Sequence, residues 1–244
     1  MHSVIAFPSQ TSEPDSNFDL YTCLTQGELR ATLVPSEYSR GAQLSLEGEP
    51  AAGIFCICTG QAKEYLSSVA GKAAIIRIVQ PGDIVGLEAV MGDSVYQATV
   101  EAIEPMTALF VPTRELLSAM RSDETFRLAV ARELGNRCRR TYSDIRQFGS
   151  AVAARVARFL LDLYRGAAAR RRRSGNLRIN LTHEEIAQSI GSSRETVSRI
   201  VSSFQRKGWI LINGHQWKIQ NGRQLVVLAV KQRGATEDLP LSVA

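Results

Sequence analysis

The chain has 244 residues, of which 44% are hydrophobic, and its 29 lysines and arginines against 24 acidic residues give a net charge of +5. This length and apolar content favour two packed domains and exclude a wholly disordered chain. No apolar run is long enough to cross a bilayer, and the beginning of the chain lacks a signal-peptide pattern. The four cysteines form no disulfide framework, so we expect a cytoplasmic protein without membrane contact.

The first half of the chain is typical of a small β-domain preceded by a loose arm. Residues 1–17 are rich in serine, proline and aspartate, which predicts a disordered arm. A short helix is expected within 18–32, with Thr25 as its N-cap. Between about residues 36 and 112, short apolar runs alternate with glycine, and this pattern predicts an antiparallel β-barrel or jelly roll.

A long helix is predicted after this β-domain. A short helix over 113–120 comes first, and Asp123 is placed to cap a second one that reaches about residue 148. A four-three spacing along the second helix suits a two-stranded coiled coil, although Arg127 interrupts the same seam. We expect dimerisation through this helix, and the alternative is a helix that packs only on its own β-domain. The seam consists of Leu134, Cys138, Thr141, Ile145 and Phe148.

The second half of the chain has the element order of a winged helix. In chain order we predict a hinge at Gly149 and Ser150, a helix over 151–165, a strand over 177–180, a helix pair over 181–208 and a hairpin turning at Asn213 and Gly214. The segment after Lys231 is predicted to be unstructured.

The helix pair carries clear start and stop signals. Thr182, with Glu185 three residues on, predicts a capping box at the start of the first helix. Gly191 predicts the sharp turn between the helices, and Ser193 predicts the N-cap of the second helix. Helical spacing predicts a buried stripe on the second helix formed by Val197, Ile200, Val201 and Phe204.

The opposite face of the second helix carries Arg194, Glu195, Ser198 and Arg199. Arginine pairs with guanine, glutamate accepts from cytosine, and serine reaches bases or phosphates. An amphipathic helix pair with a solvated face is the alternative, but the cap, the turn glycine and the polar cluster occur together. We therefore predict a helix-turn-helix that binds double-stranded DNA. Four arginines at 170–173 are candidates for further phosphate contacts.

The run GSSRETVSRIV at 191–201 closely resembles the recognition helix of the Crp/Fnr family of bacterial transcription factors, and the similarity extends from about residue 29 to residue 230. The resemblance implies that Glu195 and Arg199 read a G·C-containing core of each half-site, while Arg194 and Ser198 set the flanking preference. It implies phosphate or other DNA contacts by Ser193, Thr196, Thr182 and His183. The glycines that match the turns of the family's sensor domain are Gly41, Gly60 and Gly82.

The fold implied by the resemblance is α+β, with a cyclic-nucleotide-binding-type β-roll (jelly roll), a long dimerisation helix and a C-terminal winged helix-turn-helix. The expected parts are an arm at 1–17, a sensor β-roll at 18–122, the dimerisation helix and hinge at 123–149, the DNA-binding domain at 150–232 and a tail at 233–244. The implied function is a homodimeric regulator that binds a palindromic operator under allosteric control, with RNA polymerase as a partner if it activates. The alternative is a cyclic-nucleotide-responsive signalling module that acts through protein contacts.

The effector site departs from the pattern of the cyclic-AMP-binding members, which hold the nucleotide phosphate with a Gly-Glu-Leu run and a later Arg-Ser pair. This chain has Gly-Leu-Glu at 86–88, Tyr-Gln at 96–97 and no arginine between Arg77 and Arg114. A cyclic phosphate would lack its bidentate partner, so cyclic AMP is not the expected effector. The candidate effector contacts are Gly86, Leu87, Glu88, Tyr96, Gln97 and Thr141.

Other cofactors are not indicated by the sequence. Cys23 stands alone where oxygen-sensing members carry a cysteine cluster, and Cys56 and Cys58 are typical of small buried residues on one strand face. None of the three histidines lies in the predicted β-roll, which disfavours haem, and we expect no metal site. No nucleophile–base constellation indicates an enzyme. The sequence leaves either an organic effector of unknown identity or no effector.

Overall fold

The computed structural model describes residues 20–26, 33, 35–67, 73–146, 149–169 and 176–230. The predicted arm at 1–17, the arginines at 170–173 and the predicted tail lie outside these residues. No helix in the described ranges is long and apolar enough to cross a membrane.

The N-terminal half contains two four-stranded antiparallel sheets, as the alternation of short apolar runs and glycines predicted. One sheet has the strand order β1-β8-β3-β6 and the other has the order β2-β7-β4-β5. The strands are β1 (Pro35–Tyr38), β2 (Gln43–Ser45), β3 (Gly53–Thr59), β4 (Ala62–Ser67), β5 (Ala73–Val79), β6 (Ile84–Val85), β7 (Thr99–Ala102) and β8 (Met106–Pro112).

The predicted glycine turns are present between these strands. Gly41, Gly60 and Gly82 all have positive φ angles, of 85°, 77° and 90°. At Gly60 a side chain is also excluded by space, because a Cβ atom there would lie 2.4 Å from the Cβ of Met106. The β3–β4 turn therefore requires glycine for both its backbone conformation and its packing.

Four helices flank the two sheets: α1 (Leu20–Gln26), α2 (Leu87–Met91), α3 (Thr113–Ser122) and α4 (Glu124–Ile145). Asp123 caps α4 as predicted, because its carboxylate accepts a hydrogen bond from the Phe126 amide at 3.2 Å. The prediction of Thr25 as an N-cap was wrong. Thr25 lies near the end of α1, and its hydroxyl donates to the Tyr21 carbonyl at 2.8 Å.

The C-terminal half is a winged helix. Its elements are α5 (Val152–Ala169), β9 (Asn176–Arg178), α6 (His183–Ile190), α7 (Arg194–Arg206), β10 (Ile210–Asn213), β11 (Gln216–Ile219) and α8 (Gly222–Val230). The hairpin of β10 and β11 turns at Asn213 and Gly214 as predicted, and β9 joins it on the β11 side. Strand β9 ends before the predicted boundary at residue 180, although the Ile179 amide still donates to the His215 carbonyl at 2.9 Å.

The two halves of the chain share one apolar cluster. Ile75, Ile78 and Ile103 of the β-roll are buried together with Ile186 and Ile190 of α6. Since such burial stabilises by about 25 cal/mol per Å² of apolar surface, this packing holds α6 against the β2-β7-β4-β5 sheet. The β-roll therefore packs directly against the first helix of the helix-turn-helix.

Candidate nucleic-acid interface

The first helix of the helix-turn-helix begins with the predicted capping box. The Thr182 hydroxyl accepts from the Glu185 amide at 3.1 Å, and the Glu185 carboxylate accepts from the Thr182 amide at 2.9 Å. Gly191 ends α6 in the left-handed conformation with a φ of 62°. The local signals of the sequence thus fix both ends of α6.

The second helix, α7, begins at the predicted cap. The Ser193 hydroxyl accepts from the Thr196 amide at 3.2 Å and lies 3.0 Å from the Thr196 hydroxyl. Val197, Val201 and Phe204 are buried and fix one face of α7 against the domain core. The predicted stripe is confirmed for these three residues, while Ile200 is half-buried.

The opposite face of α7 is open to solvent. Arg194, Glu195 and Arg199 are exposed, and Ser198 and Thr196 are half-buried beside them. Within the described residues, none of the three charged side chains forms an ion pair. The structure therefore brings the predicted base-reading side chains together on a rigid helix end, with their hydrogen-bonding groups available to a ligand.

The turn that leads into α7 is held by Arg155, which the sequence analysis did not identify. Its guanidinium donates to the carbonyls of Ile190 at 2.8 Å, Gly191 at 3.2 Å and Ser150 at 2.5 Å. These carbonyls belong to the end of α6 and to the predicted hinge. Arg155 therefore connects the hinge to the turn that positions the start of α7.

A second contact missed by the sequence analysis joins the β-roll to α6. Lys63 of β4 lies 3.1 Å from Glu101 of β7 and 3.2 Å from Glu185, the capping-box residue of α6. Burial alone would lower the pKa of Lys63, but the two carboxylates outweigh it and raise that pKa. For Glu185 the signs are reversed. Burial alone would raise the pKa of its carboxyl group, but hydrogen bonds from the Thr182 amide and Lys63 outweigh burial and lower that pKa.

A groove of about 570 Å³ opens beside the helix-turn-helix. One wall is the start of α6, another is the wing hairpin, and the β-roll contributes one residue. The lining consists of Arg40, Ile179, Asn180, Leu181, Thr182, His183, Glu184, Arg194, Ile212, Gly214, His215 and Trp217. Three of the predicted DNA contacts, Thr182, His183 and Arg194, thus line one groove.

Two of the candidate effector residues, Glu88 and Thr141, neighbour an arginine that the sequence analysis missed. Arg137 of α4 forms an ion pair with Glu88 and donates to the Ile84 carbonyl. Its Nε also lies 3.3 Å from Glu133 on the same helix. Arg137 thus brings a guanidinium from α4 to Glu88, and its charge is paired with the two carboxylates.

The other candidate effector residues have structural partners. The buried Tyr96 hydroxyl donates to the Gly53 carbonyl at 2.8 Å, and the Tyr96 ring would lie 2.9 Å from a Cβ atom at Gly86. Gln97 is exposed and donates to Asp93 at 2.9 Å. Leu87 is fully buried at the start of α2, and the exposed Thr141 donates to the Arg137 carbonyl at 3.1 Å. Glu88 and Thr141 thus both neighbour Arg137, whereas Gln97 bonds within its own loop.

Cys56 and Cys58 lie in β3 as predicted, and neither forms a disulfide bond. Cys56 is buried and Cys58 is half-buried, as expected of small core residues. The described ranges contain no group of three or more histidine, cysteine, aspartate or glutamate side chains that could hold a metal ion.

Comparison with known proteins gives matches in both halves. Residues 35–123 match the family model of the cyclic nucleotide-binding domain, and residues 154–228 match that of the Crp-like helix-turn-helix domain. The transcriptional regulator LdrP of Thermus thermophilus is 32% identical over 175 residues, which cover 71% of this chain and 85% of that protein. The CRP-like cAMP-activated global transcriptional regulator of Mycobacterium tuberculosis is 28% identical over 200 residues, covering 81% of this chain and 88% of that protein.

The structure of FixK2 from Bradyrhizobium japonicum superimposes with a TM-score of 0.74 at 25% identity, and the match covers 80% of this chain and 96% of that chain. The resemblance found in the recognition helix therefore extends over both domains. The T. thermophilus and M. tuberculosis relatives are both described as regulators of transcription. The chain belongs to the Crp/Fnr family of transcription regulators, with a cyclic-nucleotide-binding-type domain followed by a DNA-binding helix-turn-helix.

Proposed function

We propose that this regulator is a homodimer that binds a palindromic operator by inserting the start of α7 into the major groove. The observation that carries the proposal is the exposed cluster of Arg194, Glu195 and Arg199, which has no ion pair within the described residues. Charged side chains that are held on a rigid helix and lack intramolecular partners keep their hydrogen-bonding capacity for base edges.

The proposed roles follow the position of each side chain. Arg199 and Glu195 read a G·C-containing core, and Arg194 and Ser198 set the flanking preference. The N-termini of α6 and α7 face phosphates, because the amides at a helix start attract anions. The residues assigned to these contacts with DNA phosphates are Thr182, His183, Ser193 and Thr196.

Dimerisation is proposed through α4. Leu128, Tyr142 and Ile145 are 48%, 68% and 58% exposed, which leaves apolar surface uncovered along this helix in a single chain. Of the predicted seam, Cys138 and Thr141 are also exposed, Leu134 is half-buried against the apolar cluster of its own chain, and Phe148 lies outside the described residues. A second copy of α4 would cover the exposed residues and relate two recognition helices by a two-fold axis, which is the symmetry of a palindromic operator.

We propose that the β-roll at 18–122 controls the winged helix at 150–232 through the intervening α4 and hinge. The support is that the β-roll contacts both α4 and α6, since Glu88 pairs with Arg137 of α4 and Lys63 pairs with Glu185 of α6. A ligand that binds one arrangement more tightly would shift the population of DNA-binding dimers. RNA polymerase is the further partner if binding activates transcription.

The proposed effector is a compound other than cyclic AMP, or there is none. Arg137, whose guanidinium contacts Glu88, is already paired with Glu88 and Glu133, and a cyclic phosphate would have to displace them. The M. tuberculosis relative is described as cAMP-activated, so cyclic AMP is the informative probe. We expect no thermal shift of this protein with cyclic AMP; a saturable shift would contradict this part of the proposal.

The central experiment is selection of bound sequences from a randomised operator library. Arg199→Ala is expected to lose its preference for one base pair in each half-site, which corresponds to a loss of about 1–3 kcal/mol in discrimination against the wrong base. Arg223→Ala, which removes an exposed arginine from α8, is the matched control. If the protein is instead a signalling module that acts through protein contacts, the wild-type protein should select no particular DNA sequence from the library. Such a result would support that alternative.

A further inference from the structure

The groove beside the helix-turn-helix receives one side chain from the sensor half. Arg40 lies in the turn between β1 and β2 and lines the groove together with Thr182, His183 and Arg194. We propose that Arg40 contacts a phosphate of operator DNA, so that the β-roll and the winged helix together hold the double helix. This inference rests on the proposed function, since it takes the groove as DNA-facing.

The position of Arg40 is fixed by the backbone around it. The Gly41 amide donates to the Ala102 carbonyl at 2.8 Å, and the Ala102 amide donates to the Ala42 carbonyl at 2.9 Å. Gly41 has a φ of 85°, which the tight turn requires. The turn is therefore anchored to the end of β7, next to Glu101.

The same strand end is tied to the DNA-binding domain. Glu101 accepts from Lys63, and Lys63 also pairs with Glu185 at 3.2 Å. The carboxylate of Glu104, shortly after β7, accepts from the Asn180 side chain, which lines the groove. These contacts hold the β1–β2 turn beside the start of α6, and a substitution of Arg40 itself leaves them intact.

The charge of the groove favours an anion. Arg40 and Arg194 are the two charged donors there, His183 and His215 have ring nitrogens that can form hydrogen bonds, and Glu184 is the one carboxylate among the described lining residues. Arg40 is exposed and has no ion pair within the described ranges. A guanidinium in this setting matches the planar, two-point geometry with which arginine binds phosphate.

The groove also has the right location for the DNA backbone. It lies between the first turn of α6, represented by Thr182 and His183, and Arg194 at the start of α7. In a helix-turn-helix complex, the first helix crosses the backbone while the second enters the major groove. A phosphate strand that passes the start of α6 would therefore pass Arg40, and this contact would add affinity without reading sequence.

The test compares salt dependence of operator binding for the full-length wild type, Arg40→Gln and Arg40→Lys. The slope of the logarithm of the association constant against the logarithm of salt concentration is expected to fall by about 0.9 per phosphate contact, hence about 1.8 for a dimer. Arg40→Lys should keep most of the slope. Arg121→Gln, which removes an exposed arginine of α3 that does not line the groove, is the charge-matched control.

Two measurements keep this inference separate from the proposed function. The bases selected from a randomised library should be the same for Arg40→Gln and wild type, because a phosphate contact carries no sequence information. If Arg40→Gln and Arg121→Gln give the same slope as wild type while Arg199→Ala still loses base preference, the contact is refuted and the proposed function stands. If Arg199→Ala changes nothing either, the proposed function itself fails.

Discussion

Lys63 of the β-roll lies 3.2 Å from Glu185, whose other carboxylate oxygen closes the capping box of the first helix of the helix-turn-helix. Both side chains are largely shielded, with 20% and 21% exposure. One carboxylate thus caps α6 locally and also binds a residue of the β-roll, 122 positions away. A change in the β-roll that moves Lys63 acts on the start of α6 with no intermediate residue.

Lys63→Met should destabilise the protein and loosen the contact between the two halves. Hydrogen bonds to charged groups contribute about 1.5–3 kcal/mol, and methionine keeps the apolar stem while removing the charge. Urea denaturation measures the loss, with Lys218→Met on the exposed face of β11 as the control. In a double-mutant cycle, Lys63→Met and Glu185→Gln should be non-additive by about 1 kcal/mol. Strict additivity of the two losses would show that this ion pair contributes nothing.

The same pair predicts a loss of stability in acid. The pKa of Glu185 in the folded protein is lowered from its ordinary value of 4.5, so the folded state favours the ionised carboxylate. The stabilisation is fully present above pH 4.5 and is lost as the pH falls through the folded pKa. The free energy of unfolding of wild type should therefore approach that of Glu185→Gln as the pH falls from 7 towards about 3. A difference between the two proteins that stays constant over this range would contradict the assignment.

Arg155 should be required for a well-positioned α7. Arg155→Met leaves the carbonyls of Ile190, Gly191 and Ser150 without their charged donor, and we expect a loss of about 1–3 kcal/mol in stability. Operator affinity should fall further than stability alone explains, because the turn before α7 is freed. Fluorescence anisotropy on operator DNA, at a temperature where both proteins are folded, measures this. Arg165→Met, which removes an exposed partner of Asp162, should match wild type in both measurements.

The local structure of this protein was predictable from its sequence, whereas the contacts between distant elements were not. The caps at Asp123, Thr182 and Ser193 follow from residues within three positions of one another, and all three are present. Lys63 and Glu185 are 122 residues apart, and no periodic pattern links them. At Thr25 a local signal was misleading. The sequence predicted an N-cap there, but tertiary packing places Thr25 near the end of α1.

The packing of α1 explains why Thr25 is not an N-cap. Leu20 and Leu24, one helical turn apart, are both buried in the cluster that includes Phe126 of α4. Burial of these two side chains sets where the helix lies, and Thr25 then falls in its last turn. The arginine of the candidate effector site was missed for a similar reason. Arg137 reaches Glu88 from α4, 49 residues away, so its position in the sequence gives no sign of this contact.

Ile145→Asp should weaken the proposed dimer. Ile145 is 58% exposed near the end of α4, so a charge there costs little in a single chain but would be buried against a second copy. Sedimentation equilibrium should show a higher monomer fraction, and affinity for a full palindrome should drop towards that for one half-site. Ile76→Asp, at a β5 position that is 50% exposed, is the control and should leave the dimer unchanged. An unaltered dimer with Ile145→Asp would place the interface elsewhere.

Glu195→Ala should relax base preference without weakening general DNA binding. The exposed carboxylate at the first turn of α7 is an acceptor for the cytosine amino group, and it also repels phosphates, so its removal costs sequence discrimination but not backbone affinity. We expect one position of each half-site to lose about 1–3 kcal/mol of discrimination while the salt slope stays the same. Library selection at two salt concentrations measures both quantities. Glu184→Ala, which removes a neighbouring exposed carboxylate from α6, controls for charge, and identical base preferences in Glu195→Ala and wild type would exclude Glu195 from the readout.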